Sequence, residues 1–260
     1  MTMAVRTFKR YEKKYLLSDD ILDIFLQEVR TYMNPDAYCV GGEKYTIHNI
    51  YFDDDRNSII RHSLSKPYYK EKLRLRDYAP FKNPGNMVYL ELKKKIGGIV
   101  SKRRSTMTLA DAIALTEKQE LHEPLKYLDK QVAEEILFFL KQHPVKPKAN
   151  ISYDRQAFFG KEDGGFRLTV DSNIKGRSEN LFSDNDTNNI SLLENGLYIM
   201  EVKILGSMPL WLARIISELD IKKVSFSKYG TFYKKKLTDD NNARTQTRYP
   251  AFVPEIISTG

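Results

Sequence analysis

The sequence predicts an α+β protein in which an antiparallel eight-stranded β-barrel forms a tunnel, with helices packed outside it. Three observations predict this fold. Eight segments rich in β-branched and aromatic residues are separated by turn residues. Only four segments have apolar residues at helical spacing, too few to alternate with the strands as in a parallel βαβ sheet. Five of the strand segments alternate Lys or Arg with apolar residues.

The predicted strands are bounded by short turns such as Gly97-Gly98, which favour antiparallel neighbours. They cover residues 8–17, 44–53, 69–78, 87–95, 99–106, 149–159, 166–174 and 197–205. The predicted helices cover residues 19–32, 109–118, 129–142 and 209–219. The polar residues 175–196 predict an exposed loop. Residues 1–237 are predicted to form one domain, and residues 238–260 a flexible C-terminal tail.

Composition restricts the possible functions. The 260 residues include 42 Lys plus Arg and 34 Asp plus Glu, a formal net charge of +8 that suggests an anionic partner. Cys39 is the only cysteine, which excludes an intramolecular disulfide or a thiolate cluster. No apolar run approaches the ~20 residues of a membrane span, and residues 1–9 lack the apolar stretch of a signal peptide. A soluble cytoplasmic protein is expected.

The charged faces of the strands are the informative feature. Around Leu73, four cations share one face and leucines share the other. For a single strand, a solvated outer face explains this pattern best. Because five strands repeat it, their apolar faces must all be covered, and a closed barrel with outer helices would turn the charges into a lumen. The charged residues are Arg10, Glu12, Lys14, Lys70, Lys72, Arg74, Arg76, Glu91, Lys93, Lys95, Arg167, Asp171, Glu201 and Lys203.

Converging cations predict an anionic guest, and phosphate matches the geometry of both Arg and Lys. Three Glu-x-Lys triplets begin at Glu12, Glu91 and Glu201. An isolated triplet of this kind usually forms a cross-strand ion pair. Within a phosphate-filled tunnel, however, the three carboxylates predict ligands for Mg²⁺ or Mn²⁺.

Short stretches in a fixed order, spread over about residues 5–236, resemble a known family. They are Arg10-Tyr-Glu-Lys-Lys14, Tyr51-Phe-Asp53, Lys72-Leu-Arg-Leu-Arg76, Leu90-Glu-Leu-Lys93, Ser101-Lys-Arg103, Tyr153-Asp-Arg155, Phe166-Arg-Leu-Thr-Val-Asp171, Met200-Glu-Val-Lys203 and Ser225-Phe-Ser-Lys-Tyr229. The chain resembles the polyphosphate-polymerase (VTC) domain of the triphosphate tunnel metalloenzyme (CYTH) superfamily.

The resemblance implies roles for individual residues. Glu201 matches the metal-binding glutamate, and Lys228 matches a lysine that reaches the phosphate chain near the tunnel mouth. With Arg74 and Arg76, these two are the predicted catalytic residues, and Glu12 and Glu91 are further metal candidates. The predicted phosphate-binding residues, some from the resemblance and some from the alternation, are Arg10, Lys14, Lys72, Lys93, Lys102, Arg155, Arg167 and Lys203.

The predicted function is metal-dependent polyphosphate synthesis from ATP. Hydrolytic tunnel enzymes carry Glu-x-Glu-x-Lys in the first strand, and Arg10 replaces the first of those acids here. Losing a possible base favours phosphoryl transfer over hydrolysis. A triphosphatase and a non-catalytic polyphosphate or nucleotide sensor are the alternatives. Nucleic-acid binding is not expected, because the basic residues alternate with acids on strands instead of clustering with exposed aromatics. The eukaryotic members' regulatory SPX domain and membrane segment are not expected.

Overall fold

The computed structural model describes residues 11–122, 125–183, 188–204 and 206–248, with side chains described up to residue 240. The strands are β1 (Tyr11–Ser18), β2 (Met33–Pro35), β3 (Tyr45–Asp53), β4 (Tyr69–Asp77), β5 (Met87–Ile96), β6 (Ile99–Thr108), β7 (Lys146–Gly160), β8 (Arg167–Arg177), β9 (Ile190–Ser191), β10 (Leu197–Ile204) and β11 (Lys222–Lys223). The helices are α1 (Asp19–Tyr32), α2 (Ser58–Leu64), α3 (Leu109–Ile113), α4 (Tyr127–Gln142), α5 (Leu210–Glu218) and α6 (Lys228–Arg248). Helical turns at Ala37–Gly42 (3-10) and Ala114–Lys118 (π) complete the described elements.

All the strands belong to one antiparallel sheet with the order β11-β1-β10-β8-β7-β3-β4-β5-β6, and the short strands β2 and β9 pair with β7 and β8. Over the residues that the structure describes, the sheet does not close into a barrel, so the prediction of an eight-stranded barrel is corrected. The free edge of β1 pairs only with the two-residue β11, and β6 ends the other side. The gap is crossed by side chains instead of backbone: Lys93 Nζ of β5 lies 3.7 Å from Glu12 Oε2 of β1.

The eight predicted strands correspond to the eight long strands of the sheet, β1, β3 to β8 and β10. Strands β2, β9 and β11 span only two or three residues, too few to show alternation. Residues 175–177, predicted to begin a loop, extend β8, and Ile190–Ser191 of the same segment form β9.

The four predicted helices are present within two residues of their predicted limits, the third as α3 together with its π-helical turn. Helices α2 and α6 are additional. Helix α6 continues to Arg248, so residues 238–248 of the predicted tail are helical, and residues 249–260 lie outside the described part of the chain. None of the helices within the described ranges combines the length and apolarity of a membrane span.

Three apolar clusters pack the outer face of the sheet against the helices. One contains Phe25 of α1 and Leu212 of α5, a second Ile136 of α4, and a third Ile60 of α2 and Phe232 of α6. Most of the apolar strand residues predicted to be covered are in these clusters, including Leu73 and Leu75 of β4. Tyr11 of β1 is an exception, because it is exposed and lines the inner cavity. The helices therefore lie outside the sheet, which leaves its charged face on the inner side.

Candidate functional site

The inner face of the sheet encloses a cavity of about 740 Å³. Among the described residues, fifteen Lys or Arg and two Glu line it, from six strands, from Lys66 before β4 and from residues 223–234. Eleven of the predicted site residues are in its wall: Glu12, Lys14, Lys72, Arg74, Arg76, Lys93, Lys102, Arg155, Glu201, Lys203 and Lys228. The period of two along each strand brings these side chains to one surface.

Glu91 is buried behind this wall instead of lining it. Its carboxylate lies 2.5 Å from Arg74 Nη2, 2.7 Å from Lys102 Nζ and 2.7 Å from Arg104 Nη2, and Arg76 Nε is 4.0 Å away. Burial alone would raise the pKa of Glu91, but these cations hold it far below its usual range. Glu91 is therefore the counter-ion of the arginine cluster, and the structure does not support its predicted role as a metal ligand.

A second buried acid anchors two further cations of the wall. Asp171, with a fully buried side chain, accepts hydrogen bonds from Arg155 Nε at 2.6 Å and Nη2 at 2.8 Å, and from Lys228 Nζ at 2.5 Å. Burial opposes ionisation, yet Arg155 and Lys228 lower the pKa of Asp171 to about 2. Because its charge is fixed, Asp171 sets the positions of both cations.

Tyr153 lies among the same cations. Its hydroxyl accepts a hydrogen bond from Arg76 Nη2 at 3.1 Å, and Lys228 Nζ lies 4.2 Å from its ring centroid. Burial would raise the pKa of Tyr153, but Arg76, Arg155 and Lys228 lower it to about 8. Alternation placed Asp171 on the charged face of its strand, but no role was predicted for Asp171 or for Tyr153. The period-two spacing that pairs Tyr153 with Arg155 on one strand face was the available signal.

The two carboxylates that do line the cavity share a lysine. Lys14 Nζ lies 3.4 Å from Glu12 Oε1 and 3.6 Å from Glu201 Oε2, and Lys203 Nζ lies 2.7 Å from Glu201 Oε1. Burial opposes their ionisation, but the surrounding lysines lower the pKa of both carboxyl groups. The pKa of Glu201 is well below its ordinary range, and that of Glu12 is lowered less strongly. Both side chains are therefore anionic at neutral pH.

Glu12 and Glu201 are the residues of the wall that would hold a divalent metal, with phosphate oxygens completing its coordination. Within the described residues, no group of three His, Cys, Asp or Glu side chains converges as a metal site. Mg²⁺ commonly uses one or two carboxylates together with substrate phosphates, which matches two acids facing a cationic cavity. A phosphate chain would also provide new partners for the lysines that now pair with both acids.

Two lysines of the wall are only partly charged at neutral pH. Burial, followed by repulsion from Lys70 and Lys93, lowers the pKa of Lys72 to about 7. Burial also lowers the pKa of Lys102 to about 7, although Glu91 opposes the shift. A bound polyanion would supply the missing negative charge and stabilise the protonated form of both.

One described phosphate-binding candidate, Arg167, is not in the cavity wall. Arg167 Nη2 lies 3.9 Å from Asp36 Oδ2, and its guanidinium carbon is 5.0 Å from the Phe159 ring centroid. Alternation predicted which face of β8 Arg167 occupies. It could not predict that Arg167, the first residue of β8, lies near Asp36 of a distant turn. Arg10 lies outside the described residues.

The start of helix α6 is fixed where it meets the cavity. The Tyr229 hydroxyl donates to Asp53 Oδ2 at 3.1 Å, and the Tyr229 ring stacks on Tyr51 with a centroid distance of 4.9 Å. Asp53 also accepts from the backbone N–H groups of Ile59 and Ile60 in α2, each at 2.9 Å. Because Lys228 directly precedes Tyr229 in the chain, these contacts also hold Lys228 at the cavity wall.

The chain is similar to one known protein family and to solved structures of other proteins. The model of the VTC domain family matches residues 9–236. A proposed adenylate cyclase (bh2851) from Bacillus halodurans is 14% identical, with a TM-score of 0.49 over 84% of this chain and 95% of that one. The PH1819 protein from Pyrococcus horikoshii OT3 is 15% identical, with a TM-score of 0.39 over 87% of this chain and 99% of that one. No curated protein sequence matches the chain. Because the family model covers most of its length, the chain belongs to the VTC domain family.

Proposed function

We propose that this protein is a metal-dependent polyphosphate polymerase that transfers the γ-phosphoryl group of ATP to a growing polyphosphate chain. The main observation in support of this proposal is the cavity wall, in which fifteen Lys or Arg side chains of the described residues face two carboxylates. Such a wall repels itself unless a polyanion enters, and a linear phosphate chain supplies several charges in a row. Membership in the VTC domain family supports the same ligand class.

The chain's own residues would act by holding phosphates in line. Arg74, Arg76 and Arg155 present guanidinium groups whose orientations are already fixed by Glu91 and Asp171. Charge-assisted hydrogen bonds from such groups orient phosphate oxygens and stabilise charge that develops during transfer. Phosphoryl transfer depends mainly on positioning and charge neutralisation, so the reaction needs no Ser, Cys or His nucleophile.

The proposed step balances without a further reactant. A terminal phosphate oxygen of the acceptor chain forms a bond to the γ-phosphorus of ATP. The bond between that phosphorus and the β–γ bridging oxygen breaks, and ADP leaves with the electron pair. Mg²⁺ or Mn²⁺, held by Glu201 and Glu12, would supply neutralisation of the phosphate oxygens.

Transfer is favoured over hydrolysis by the state of the two acids in the wall. Lysines hold the pKa of both Glu201 and Glu12 below the ordinary range. A carboxylate with a low pKa is a weak general base, because efficient bases have pKa values near the working pH. Neither carboxylate of the wall is therefore an effective base for water, whereas a phosphate oxygen already carries its negative charge.

The test is incubation of the full chain with ATP and Mn²⁺, followed by separation of phosphate products on a gel. A polymerase gives ADP and a ladder of lengthening polyphosphate. Release of ADP and orthophosphate without polymer would instead identify a triphosphatase. Binding of tripolyphosphate without turnover of ATP would identify a sensor, and either result would overturn the proposal.

A further inference from the structure

The hairpin between β5 and β6 exposes apolar side chains at its tip. Strands β5 and β6 are joined at Gly97 and Gly98, which have φ angles of +53° and +91°, the conformation that two-residue hairpin turns require. Ile96 and Ile99 pair across the strands beside the turn and are 47% and 37% exposed. Tip positions are normally polar, so two isoleucines there are unusual for a solvated loop.

Two tyrosines enlarge this apolar surface. Tyr68 is 77% exposed, and its backbone oxygen accepts a hydrogen bond from the Gly97 N–H at 2.9 Å. A Cβ on Gly97 would lie 3.0 Å from the Tyr68 ring, so the glycine permits this packing. Tyr69 is also exposed and pairs with Ile96. We call Tyr68, Tyr69, Ile96 and Ile99 the tip cluster. Contiguous exposed apolar groups of this kind mark interaction surfaces.

Lysines surround the tip cluster on the side of the cavity. Lys66, Lys70 and Lys95 line the adjoining part of the cavity wall, and Lys70 pairs with Lys95 across β4 and β5. Burial and then repulsion from Lys95, Lys93 and Lys66 lower the pKa of Lys70, which shows that these cations lie close together.

Two acids lie near the hairpin, and one of them contacts the tip cluster through Tyr69. Glu135 of α4 pairs with Lys94 at 2.9 Å and with Arg103 at 3.3 Å, and Glu71 accepts the Tyr69 hydroxyl at 2.7 Å. Within the described residues, Lys66, Lys70 and Lys95 form no ion pair with a carboxylate, although Lys70 Nζ donates to Ser63 O at 3.1 Å. Their charges are therefore not neutralised by an acid and can attract an external anionic surface.

We propose that the tip cluster docks onto an anionic lipid bilayer. Isoleucine side chains partition into the boundary between headgroups and acyl chains, and tyrosines are enriched at that level of the membrane. Lysines near an anionic bilayer are attracted to its surface charge. An acidic protein would match the lysines equally well, but it would not require apolar side chains at the outermost point of a hairpin. The proposal is independent of the reaction proposed for the cavity.

The test compares sedimentation of the full chain with vesicles of phosphatidylcholine alone and vesicles containing about 30% phosphatidylglycerol. We expect binding only to the anionic vesicles. The double variant Ile96→Ser and Ile99→Ser should lose at least about tenfold in vesicle affinity, because it removes the inserting groups. The matched control Leu210→Ser, at a residue that is 88% exposed on α5, should bind like the wild type. Circular dichroism verifies that each variant is folded.

A second measurement separates insertion from binding of headgroups in the cavity. In Tyr68→Trp, the added fluorescence should shift to shorter wavelength with anionic vesicles and be quenched by brominated acyl chains. Saturating tripolyphosphate should leave most of the vesicle binding intact. Absence of wild-type binding, equal binding of the isoleucine double variant, or complete release by tripolyphosphate would each overturn the proposal. So would a change in oligomeric state of the double variant, which would indicate a second copy of the chain as the occupant.

Discussion

Single residues of this protein take their roles from their partners more than from their type. Glu91 and Glu201 both begin a Glu-x-Lys triplet on a strand. Glu91 is surrounded by Arg74, Arg76, Lys102 and Arg104 behind the cavity wall, whereas Glu201 faces the cavity with Lys14 and Lys203. Identical local patterns therefore produce a structural counter-ion in one case and a candidate metal ligand in the other.

Substitution by glutamine separates these two roles. Glu201→Gln should lower metal-dependent turnover at least about a hundredfold, because a hard cation needs the carboxylate charge. Its tripolyphosphate affinity, measured by calorimetry, should stay within about threefold, since no cation is lost. Glu91→Gln should mainly lower the melting temperature, because leaving buried cations unpaired costs about 3–5 kcal/mol. Wild-type turnover in Glu201→Gln would reduce Glu201 to an ion-pair partner.

At the scale of elements, helix α6 completes the site that the open sheet begins. The sheet leaves a gap between β1 and β6, and residues 223–234 line the cavity together with the strands. The first turn of α6 is tied to β3 and α2 through Tyr229 and Asp53. Burial, followed by the charge of Asp53, raises the pKa of Tyr229 far above its ordinary value, so the hydroxyl remains a donor at neutral pH.

Tyr229→Phe removes only the hydroxyl that holds α6 to Asp53. We expect the tripolyphosphate affinity to fall about three- to tenfold, because a net hydrogen bond contributes about 0.5–1.5 kcal/mol and its loss frees Lys228 to move. Tyr233→Phe, one turn further along α6, is the matched control and should leave the affinity unchanged. Equal affinities of the two variants in a calorimetric titration would show that Tyr229 acts only in packing.

At the scale of the whole molecule, the cavity concentrates positive charge, and the buried acids neutralise only part of it. Glu91 and Asp171 neutralise the innermost cations, while Lys72 and Lys102 have pKa values of about 7. A lysine with a lowered folded pKa destabilises the protein while it is protonated. That penalty is fully present below about pH 7 and disappears as the pH rises towards 10.5, the value of the unfolded group.

Tripolyphosphate should therefore stabilise the protein in a pH-dependent manner. At one hundred times its dissociation constant, a ligand adds about 2.7 kcal/mol, or a rise of about 5–10 °C in the melting temperature. Because binding favours the protonated forms of Lys72 and Lys102, the affinity should be at least about tenfold weaker near pH 8.5 than near pH 6.5. Lys72→Met is the control and should reduce this pH dependence. No thermal shift at saturating tripolyphosphate would contradict an anion-binding cavity.

The sequence by itself determined the eight long strands, the four predicted helices and the face on which each charge lies. These features depend on a period of two or 3.6 and on turn residues, which are local properties of the chain. Ten of the fourteen predicted site residues line the cavity for this reason, since residues that share the inner face of one sheet converge once the helices cover its outer face. An eleventh, Lys228, lines the cavity from the start of α6 and was implied by the family resemblance.

Only the tertiary structure decided the features that require contact between distant segments, namely strand pairing at the sheet edges, burial depth and ion-pair partners. The sheet stayed open because β1 and β6 do not pair, although each has the pattern of a barrel strand. Glu91 is buried behind the cavity wall because four cations from β4 and β6 surround it. Arg167 lies near Asp36 instead of facing the cavity. The anchoring of Lys228 by Asp171, 57 residues away in sequence, has no local signal. Alternation specifies a face, whereas pairing partners and burial depth arise only when the whole chain packs.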